Sequence, residues 1–552
     1  MNALRVGAAR RARAARAMRR GLARLACAAG AAAGVAMAAD TVVPLTAQEL
    51  DGQLIFQKAD SPSGAQINAR IGQGNAELSG QAVACGNCHG EDGRGRAEGG
   101  IEPPNILWSE LTKPYGHLHT HNGGRKHGPF DEASFKRALV QGLDPDGNPL
   151  DPGMPRFLMS EKDFQSLLAY LKRLEQVRDP GVGETTLRVA TLLPPGGRGP
   201  GGVGDLGALG DSLQQLLAGY FSTLNSTGGI HGRQLELVVQ RLPAEPMAAR
   251  ESMKQVLASG VFAVVAPYAA GMEAELSAQA RDAQVPVLGP LTLYPEDVLA
   301  SNPQVFHLLA GVPELAQALG QHGLNSLNLA GQPLLLLHPD TAGGRAVLQM
   351  VSEALAKRGL KQVRSLAYPP GASDAKALAA QVQAAKAVAL MPLGIGLDIP
   401  GLARELHARD HWTRWLVPGP LATRELTALP ADFKGSVTLA YPSAPGDMRA
   451  DALTVLNALL PARPDNRPPH AMQVATYGAA QLLAEGLRRT GRDLSRRKLL
   501  AQLEQVQSFD TGLMPRLSYN ADRRIGAMGA YLVGLDFADK SIKPLGGYVK
   551  VE

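Results

Sequence analysis

The stretch Cys85-Gly86-Asn87-Cys88-His89 separates two thiols by two residues and places a histidine directly after the second thiol. Two thiols at this spacing can each bond one vinyl group of a haem, and the adjacent histidine is then held beneath the iron as an axial ligand. A zinc site would need further thiolate or imidazole partners, and a thioredoxin-like site would need a βαβ context that this stretch lacks. The motif therefore predicts one covalent haem c, attached at Cys85 and Cys88 and ligated by His89.

The N-terminal residues 1–38 have the three parts of a secretory signal peptide. They contain eight arginines and no acidic residue, then an apolar stretch, then the small-residue site Ala36-Met37-Ala38. This layout predicts a cleavable leader and a periplasmic location, with Met18 as an alternative start. Because eight of the 56 Lys and Arg residues lie in the leader, the mature chain is nearly balanced against its 50 acidic residues, and no nucleic-acid partner is expected.

A second axial ligand is expected downstream of the haem motif. Met154 stands between Gly153 and Pro155, shortly before a helix whose capping residues begin at Ser160. We predict Met154 as this ligand, and Met159 is the alternative. Methionine ligation would give a higher redox potential than ligation by two histidines.

Four histidines crowd the Gly-rich segment 113–130, namely His117, His119, His121 and His127. Alternation at the first three would place their imidazoles on one face of an extended segment, as a copper or zinc site requires. The simpler interpretation is a solvated loop, because nothing in such a segment fixes the backbone. Ligation of the haem iron by one of these histidines is a further alternative.

The region 41–177 resembles the class I cytochromes c. The resemblance rests on the haem motif and on three further stretches: Gly90-Glu91-Asp92-Gly93, Gly99-Gly100-Ile101-Glu102-Pro103-Pro104 and Asp144-Pro145-Asp146-Gly147. It implies a small all-α domain with a Met-Pro ligand before the last helix. The residues themselves predict helices only at the two ends of the region, the first over Leu45 to Lys58. We predict this domain over residues 39–177, followed by a breaker-rich linker over 178–185.

From residue 186 to residue 552, strand-like apolar runs alternate with helical runs. The runs predicted as strands are Leu187 to Leu193, Leu235 to Val239, Phe262 to Val265, Val285 to Leu288, Leu334 to Leu337 and Ala387 to Leu390. Such alternation argues βαβ units and parallel sheets covered by helices. The length exceeds that of one sheet domain, so we predict two α/β lobes.

The stretch Gly199-Pro200-Gly201-Gly202-Val203-Gly204 formally matches a dinucleotide-binding fingerprint. Pro200 stiffens the turn, however, and the second strand ends near Gln240 without an acid for a ribose hydroxyl. A ligand-facing loop is therefore the preferred interpretation.

The region from Thr186 to Lys550 resembles the leucine/isoleucine/valine-type periplasmic binding proteins, the solute receptors of branched-chain amino acid ABC importers. The resemblance rests on Asn225 to Arg233, Val261 to Pro267, Val285 to Pro290 and Pro303 to Leu308. It implies a type I periplasmic binding protein fold, in which two lobes close on a ligand held between them.

The same resemblance implies that the ligand contacts loops at the ends of strands. The residues that these loops supply are Tyr268, Ala269, Pro290, Thr292, Tyr294 and Gly394. The Thr292 hydroxyl would meet a carboxylate, whereas no acid suits an ammonium group and the nearest is Asp398. Since a buried ammonium without a carboxylate partner is costly, the sequence favours an apolar or aromatic acid over an ordinary amino acid.

Three functions are compatible with these features. The first is an electron-transfer protein that serves a periplasmic partner, such as a quinoprotein dehydrogenase or a terminal oxidase, and binds a small organic solute. The second is a solute receptor for an ABC permease with an accessory haem. The third, an enzyme acting on the solute, ranks last because no G-x-S-x-G, H-E-x-x-H or second cofactor motif occurs.

Overall fold

The computed structural model describes residues 45–72, 74–95, 102–119, 124–197, 205–295, 303–371, 373–461 and 470–551. The predicted leader, His121 and the stretch from Gly199 to Gly204 lie outside the described residues. Among the residues that are described, every helix is too short or too polar to span a bilayer.

The N-terminal domain, described from residue 45 to 177, contains five helices. They are α1 (Ala47–Lys58), α2 (Cys85–His89), α3 (Trp108–Leu111), α4 (Glu132–Gln141) and α5 (Glu161–Leu174). Ser160 caps α5, as the sequence predicts, and Thr46 caps α1, which begins two residues later than the predicted Leu45. The expectation of helices only at the two ends is wrong, because α4 buries Phe135, Ala138 and Leu139 at helical spacing.

The two terminal helices of this domain cross at a glycine. A Cβ on Gly52 would collide with the carbonyl oxygen of Ser166 in α5, so only glycine allows this approach. Next to the crossing, the rings of Phe56 and Tyr170 lie 5.5 Å apart and are both buried. The crossing ties both ends of the domain into one core.

Five short strands accompany these helices in a domain that was expected to be all-α. They are β1 (Asn68–Ile71), β2 (Ala76–Ser79), β3 (His117–His119), β4 (Arg125–His127) and β5 (Arg156–Leu158). Strands β2, β1 and β5 form an antiparallel sheet, and β3 pairs with β4 in a hairpin. Each strand has only three or four residues, too few for an alternating pattern to be recognised in the sequence.

The remaining strands build two sheets. They are β6 (Thr186–Leu193), β7 (Gln234–Arg241), β8 (Ala263–Val265), β9 (Val287–Leu288), β10 (Val305–Leu309), β11 (Leu334–Pro339), β12 (Val363–Tyr368), β13 (Ala389–Pro392), β14 (Arg414–Pro418), β15 (Ser436–Tyr441), β16 (Ile525–Ala527), β17 (Gly529–Asp536) and β18 (Ser541–Lys550). The first lobe has six parallel strands in the order β16-β10-β9-β8-β6-β7. The second lobe has seven in the order β12-β11-β13-β14-β15-β17-β18, of which β17 and β18 are antiparallel.

Helices cover both sheets. They are α6 (Leu206–Ser226), α7 (Pro246–Ala258), α8 (Glu273–Asp282), α9 (Val312–Leu327), α10 (Ala342–Lys357), α11 (Ala375–Ala384), α12 (Ile399–Ala408), α13 (Ala450–Leu459), α14 (Ala471–Thr490) and α15 (Arg496–Glu504). The chain passes between the lobes after β10, after β15 and between β16 and β17. The first-lobe sheet therefore receives its last strand from the C-terminal part of the chain.

The predicted linker, residues 178–185, packs against the first lobe. Val182 is buried in that lobe's core, and Gly181 has a positive φ of 86° where a Cβ would collide with the backbone of Phe262. The Asp179 carboxylate accepts a hydrogen bond from the backbone N–H of Arg496 in the first lobe. These contacts fix the N-terminal domain to the first lobe.

Candidate functional site

Beside the Cys-x-x-Cys-His motif, the N-terminal domain has an open cavity of about 870 Å³, counted out to the surrounding solvent. Aliphatic and aromatic side chains, some of them from α1, α4 and α5, form most of its wall, while Cys85 and His89 also line it and the β3–β4 hairpin contributes polar groups. The lining includes Phe56, Cys85, His89, Pro104, Ile106, Leu111, His117, His119, Arg125, His127, Phe135, Leu139, Met154, Leu167 and Leu171. An apolar cavity with thiol and imidazole groups at one wall fits a covalently bound haem.

His89 is held so that one ring nitrogen remains available to a metal. The side chain is only 5 % exposed, and its Nδ1 donates a hydrogen bond to the carbonyl oxygen of Pro104 at 2.9 Å. This bond assigns the proton to Nδ1 and leaves the Nε2 lone pair for iron. Burial lowers the pKa of His89, more than the bond to Pro104 raises it, so the imidazole stays neutral as a metal ligand must.

A glycine turn holds the loop that carries Pro104. The Gly95 N–H donates to the His89 carbonyl at 2.7 Å, and Gly95 has a φ of 83°. A Cβ at Gly95 would collide with the Pro103 carbonyl, so the turn requires glycine here. The sequence resemblance pointed to this Gly-rich region without assigning it a role.

The two thiols differ in their surroundings. Cys85 is half-buried and faces the cavity, whereas Cys88 is exposed, and neither is in a disulfide. Burial raises the pKa of the Cys85 thiol to about 12. Zinc binding and redox exchange both require a thiolate, which this environment disfavours. Cys85 is therefore suited to a thioether bond rather than to metal ligation.

Met154 lines the cavity, whereas Met159 packs against the surrounding core without lining it. Two hydrogen bonds fix the backbone of Met154. The Met154 N–H donates to the Asp151 carbonyl at 3.0 Å, and the Arg156 guanidinium donates to the Met154 carbonyl. The structure thus places the first-choice methionine, and not the alternative, against the same cavity as His89.

The histidine segment is a β-hairpin and not the solvated loop that the sequence favoured. His117 and His119 lie on one face of β3, and His127 joins them from β4, where it is only 5 % exposed. Their ring centroids lie 5.1 to 5.9 Å apart. Nowhere in the described part of the chain do three or more His, Cys, Asp or Glu side chains form a group that could hold a metal ion.

In the first lobe, the loops after β8 and β9 run side by side at the carboxyl ends of their strands. The Ala269 N–H donates to the Leu291 carbonyl at 3.1 Å, which brings Tyr268 and Ala269 next to Pro290 and Thr292. Tyr268 and Ala269 are both largely buried. In open α/β sheets such loops border the ligand crevice.

Glu273, at the start of α8, is a residue that the sequence analysis missed. The Thr292 hydroxyl donates to its carboxylate at 2.6 Å, and the Tyr294 N–H donates to the Thr292 oxygen at 2.9 Å. Burial raises the pKa of Tyr268 and of Tyr294, and the negative charge of Glu273 adds to the effect. Thr292 is therefore engaged by a carboxylate of the protein itself.

Tyr294, on the loop after β9 of the first lobe, reaches the second lobe. The Tyr294 hydroxyl donates to the Leu393 carbonyl at 3.1 Å, immediately before Gly394. The Gly394 carbonyl accepts from the Tyr368 hydroxyl at 2.8 Å, a buried contact that the sequence did not indicate. Asp398, the nearest acid considered from the sequence, caps α12 by accepting from the Gly401 N–H at 2.9 Å.

Ion pairs join residues 85–94, here called the haem-motif segment, to the first lobe. Three residues that follow His89 face the segment before and within α15. The pairs are Glu91 with Arg497 at 3.0 Å, Asp92 with Lys498 at 2.8 Å and Arg94 with Asp493 at 3.6 Å. The haem-motif segment is thus docked directly on the first lobe.

The fold and these sites define a small haem-binding domain joined to a two-lobed solute-binding module. The chain belongs to the periplasmic binding protein family, whose model, described as "Periplasmic binding protein", matches residues 202–540, and residues 76–175 match the model described as "Cytochrome c". Both family resemblances and the order of the two parts are thereby confirmed. The cytochrome c domain implies haem c, and both families fit a protein that is not an enzyme.

Relatives of the larger part carry related names. A protein named Leu/Ile/Val-binding protein homolog 3, from Brucella melitensis, is 23% identical over 292 residues, which cover 52% of this chain and 77% of the relative. A fatty acid ABC transporter substrate-binding protein from Thermomonospora curvata superposes with a TM-score of 0.51 at 19% identity, covering 68% and 95% of the two chains. A leucine-binding protein from Thermotoga maritima gives 0.52 at 14%, covering 66% and 99%.

Proposed function

We propose that this chain is an exported one-haem cytochrome that carries electrons in the periplasm and also binds a small organic solute in its two-lobed module. The observation that carries the proposal is the single cavity that Cys85, His89 and Met154 line together. Cys85 and Cys88 would hold the haem, and His89 and Met154 would ligate its iron. The haem supplies a one-electron couple when bound. The protein supplies the neutral His89 imidazole and a mostly apolar surround.

The periplasmic location rests on two arguments. Residues 1–38 have the composition of a cleavable signal peptide, and both matched families are typically periplasmic. A redox partner in that compartment, such as a quinoprotein dehydrogenase or a terminal oxidase, would exchange electrons with the haem. The ion pairs at Glu91 and Asp92 occupy one side of the haem-motif segment, so the partner would approach from another.

The proposed solute has an apolar body. The relatives named above bind, by their names, leucine, branched-chain amino acids or fatty acids, and the first-lobe loops here supply Tyr268, Ala269, Pro290 and Tyr294. The acid that the sequence favoured fits less well at Thr292, because the Glu273 carboxylate already accepts the Thr292 hydrogen bond at 2.6 Å. A second carboxylate there would face like charge.

The test is to express the full chain with haem maturation and to compare wild type, Met154→Ala and Met159→Ala. We expect one covalent haem in each by pyridine haemochrome, and loss of the sulfur-to-iron charge-transfer band in Met154→Ala alone. Met159→Ala is the matched control, since Met159 packs on the same core outside the cavity. Absence of covalent haem in the wild type contradicts the proposal. Loss of the band in Met159→Ala instead of Met154→Ala would identify Met159 as the axial ligand.

A solute receptor for an ABC permease is the second candidate function, and the match of residues 202–540 favours it. The two functions separate by calorimetry on the Cys85→Ser/Cys88→Ser protein. If leucine or a medium-chain fatty acid binds equally with and without haem, and transport by a partner permease also needs no haem, the receptor role is primary.

A further inference from the structure

The β3–β4 hairpin presents its polar side chains to the haem cavity. Arg125, His117, His119 and His127 all line it, together with Asn105 and Asp151. The last two are engaged locally, because Asn105 accepts from the Leu107 N–H at 2.9 Å and Asp151 from the Gly153 N–H at 2.7 Å. The cavity therefore has one polar wall, formed by the hairpin, in which Arg125 carries the positive charge.

A haem is apolar except for two propionate carboxylates on one edge. A carboxylate taken out of water is costly unless a cation or hydrogen-bond donors meet it. Arg125 offers a planar fork that suits a carboxylate, and the side chain is fixed by an Nη1 bond to Asp144 at 2.8 Å, which leaves its other N–H groups to donate. Asp144 is fully buried and also accepts hydrogen bonds from Asn148.

The two imidazoles beside Arg125 share one proton. His127 Nδ1 donates to the Gly128 carbonyl at 2.7 Å, so its Nε2 is an acceptor, and His119 Nε2 donates to it at 2.9 Å. This tautomer assignment follows from the hydrogen-bond network. The pair is therefore neutral and can gain one proton.

We infer that Arg125 and the His119–His127 pair bind the haem propionates, and that the pair takes up a proton from solvent when the iron is reduced. The inference rests on the covalent haem of the proposed function. Reduction by a one-electron donor adds one negative charge to the haem. This added negative charge, together with the propionates, stabilises the protonated form of the His119–His127 pair. The pair therefore gains one proton from solvent when the haem gains one electron.

The charges around the pair set its working range. Burial, the positive charge of Arg125 and the two neighbouring imidazoles together lower the pKa of His119 to about 4, and the negative charge of Asp144 opposes them. A propionate beside His119 acts in the opposite direction, so uptake falls between about pH 4 and neutrality. The groups facing the pair are His117 on β3, Arg125 on β4, Asp144 behind Arg125, Asp146 at the Gly128 N–H, Asp151 across the cavity and Glu110, whose carbonyl holds His117.

The experiment is potentiometry of the matured full-length protein with redox mediators from about pH 4 to neutrality. The wild-type potential should fall with pH, by up to about 59 mV per pH unit where one proton accompanies one electron. His119→Gln keeps a donor toward His127 without a titrating ring, and should flatten this slope while retaining haem and the charge-transfer band. His322→Gln, in α9 of the second lobe, is the matched control and should keep the wild-type slope.

Arg125→Lys keeps the charge and loses the fork. The propionate bending modes in its resonance Raman spectrum should shift, and those of His322→Gln should not. Three outcomes would overturn this inference and leave the proposed function standing. They are a wild-type potential that does not change with pH, a wild-type slope retained in His119→Gln, and unshifted propionate modes in Arg125→Lys. Absence of covalent haem in the wild type would instead overturn the proposed function on which it rests.

Discussion

At the scale of single residues, Gly52 controls how closely the terminal helices of the N-terminal domain approach. A methyl group there would meet the Ser166 carbonyl and the Tyr170 side chain. We expect Gly52→Ala to lower the free energy of unfolding by about 1–3 kcal/mol, the usual cost of overpacking. Calorimetry would measure it, with Gly74→Ala as control because a Cβ at Gly74 meets open space. Equal stability of both variants would show that the helices can move apart freely.

Single residues also show what the sequence can predict. The haem-attachment motif of Cys85, Cys88 and His89 lies within five consecutive residues, so the sequence alone was enough to predict it. The contact of Glu273 with Thr292 joins residues 19 positions apart through the pairing of two strand ends. No local pattern carries that information, and the acid was therefore missed.

At the scale of elements, α15 and the haem-motif segment form an electrostatic contact. Burial would raise the pKa of Asp92, but the hydrogen bond and charge of Lys498 and nearby backbone N–H groups lower it below its ordinary value. A depressed carboxylate pKa stabilises the docked state above the ordinary value of about 3.9 and ceases to do so as the pH falls through the lower docked value. Docking should thus be intact at neutral pH and weaken only under acid conditions.

Lys498→Met tests this contact. Because the pair is partly exposed, we expect a loss of no more than about 1 kcal/mol, seen as faster hydrogen exchange in residues 493–498 at neutral pH. Lys434→Met, which removes an exposed lysine paired with Asp410 in the second lobe, is the control. Exchange that is the same in wild type and Lys498→Met would mean that apolar packing at Val182 holds the domain instead.

Elements differ in how far the sequence foretold them. The buried strand β8 and the first four residues of β11 are continuous apolar runs, and alternation with helices was enough to predict two sheets with parallel strands. The antiparallel strands β17 and β18 of the second lobe depart from that prediction. The β3–β4 hairpin was mistaken for a loop because His, Gly and Arg have no strand pattern, and its order comes from contacts such as His117 with the Glu110 carbonyl at 2.6 Å. Tertiary contacts of this kind are invisible in a local window.

At the scale of the whole molecule, the lobes are joined by three crossings and by the bond from Tyr294 to the Leu393 carbonyl. A tyrosine bond that bridges lobes favours the closed arrangement, and its removal should favour opening by about 1 kcal/mol, roughly a fivefold change in the ratio of closed to open molecules. We expect Tyr294→Phe to increase the radius of gyration in small-angle X-ray scattering without ligand. Tyr368→Phe is the control, since its hydroxyl bonds the Gly394 carbonyl within the second lobe. If both variants scatter like wild type, the Tyr294 bond does not control the interlobe angle, and the three crossings set it. The N-terminal domain, which is fixed to the first lobe at Val182 and Asp92, would then keep the same orientation to the second lobe in wild type and variants.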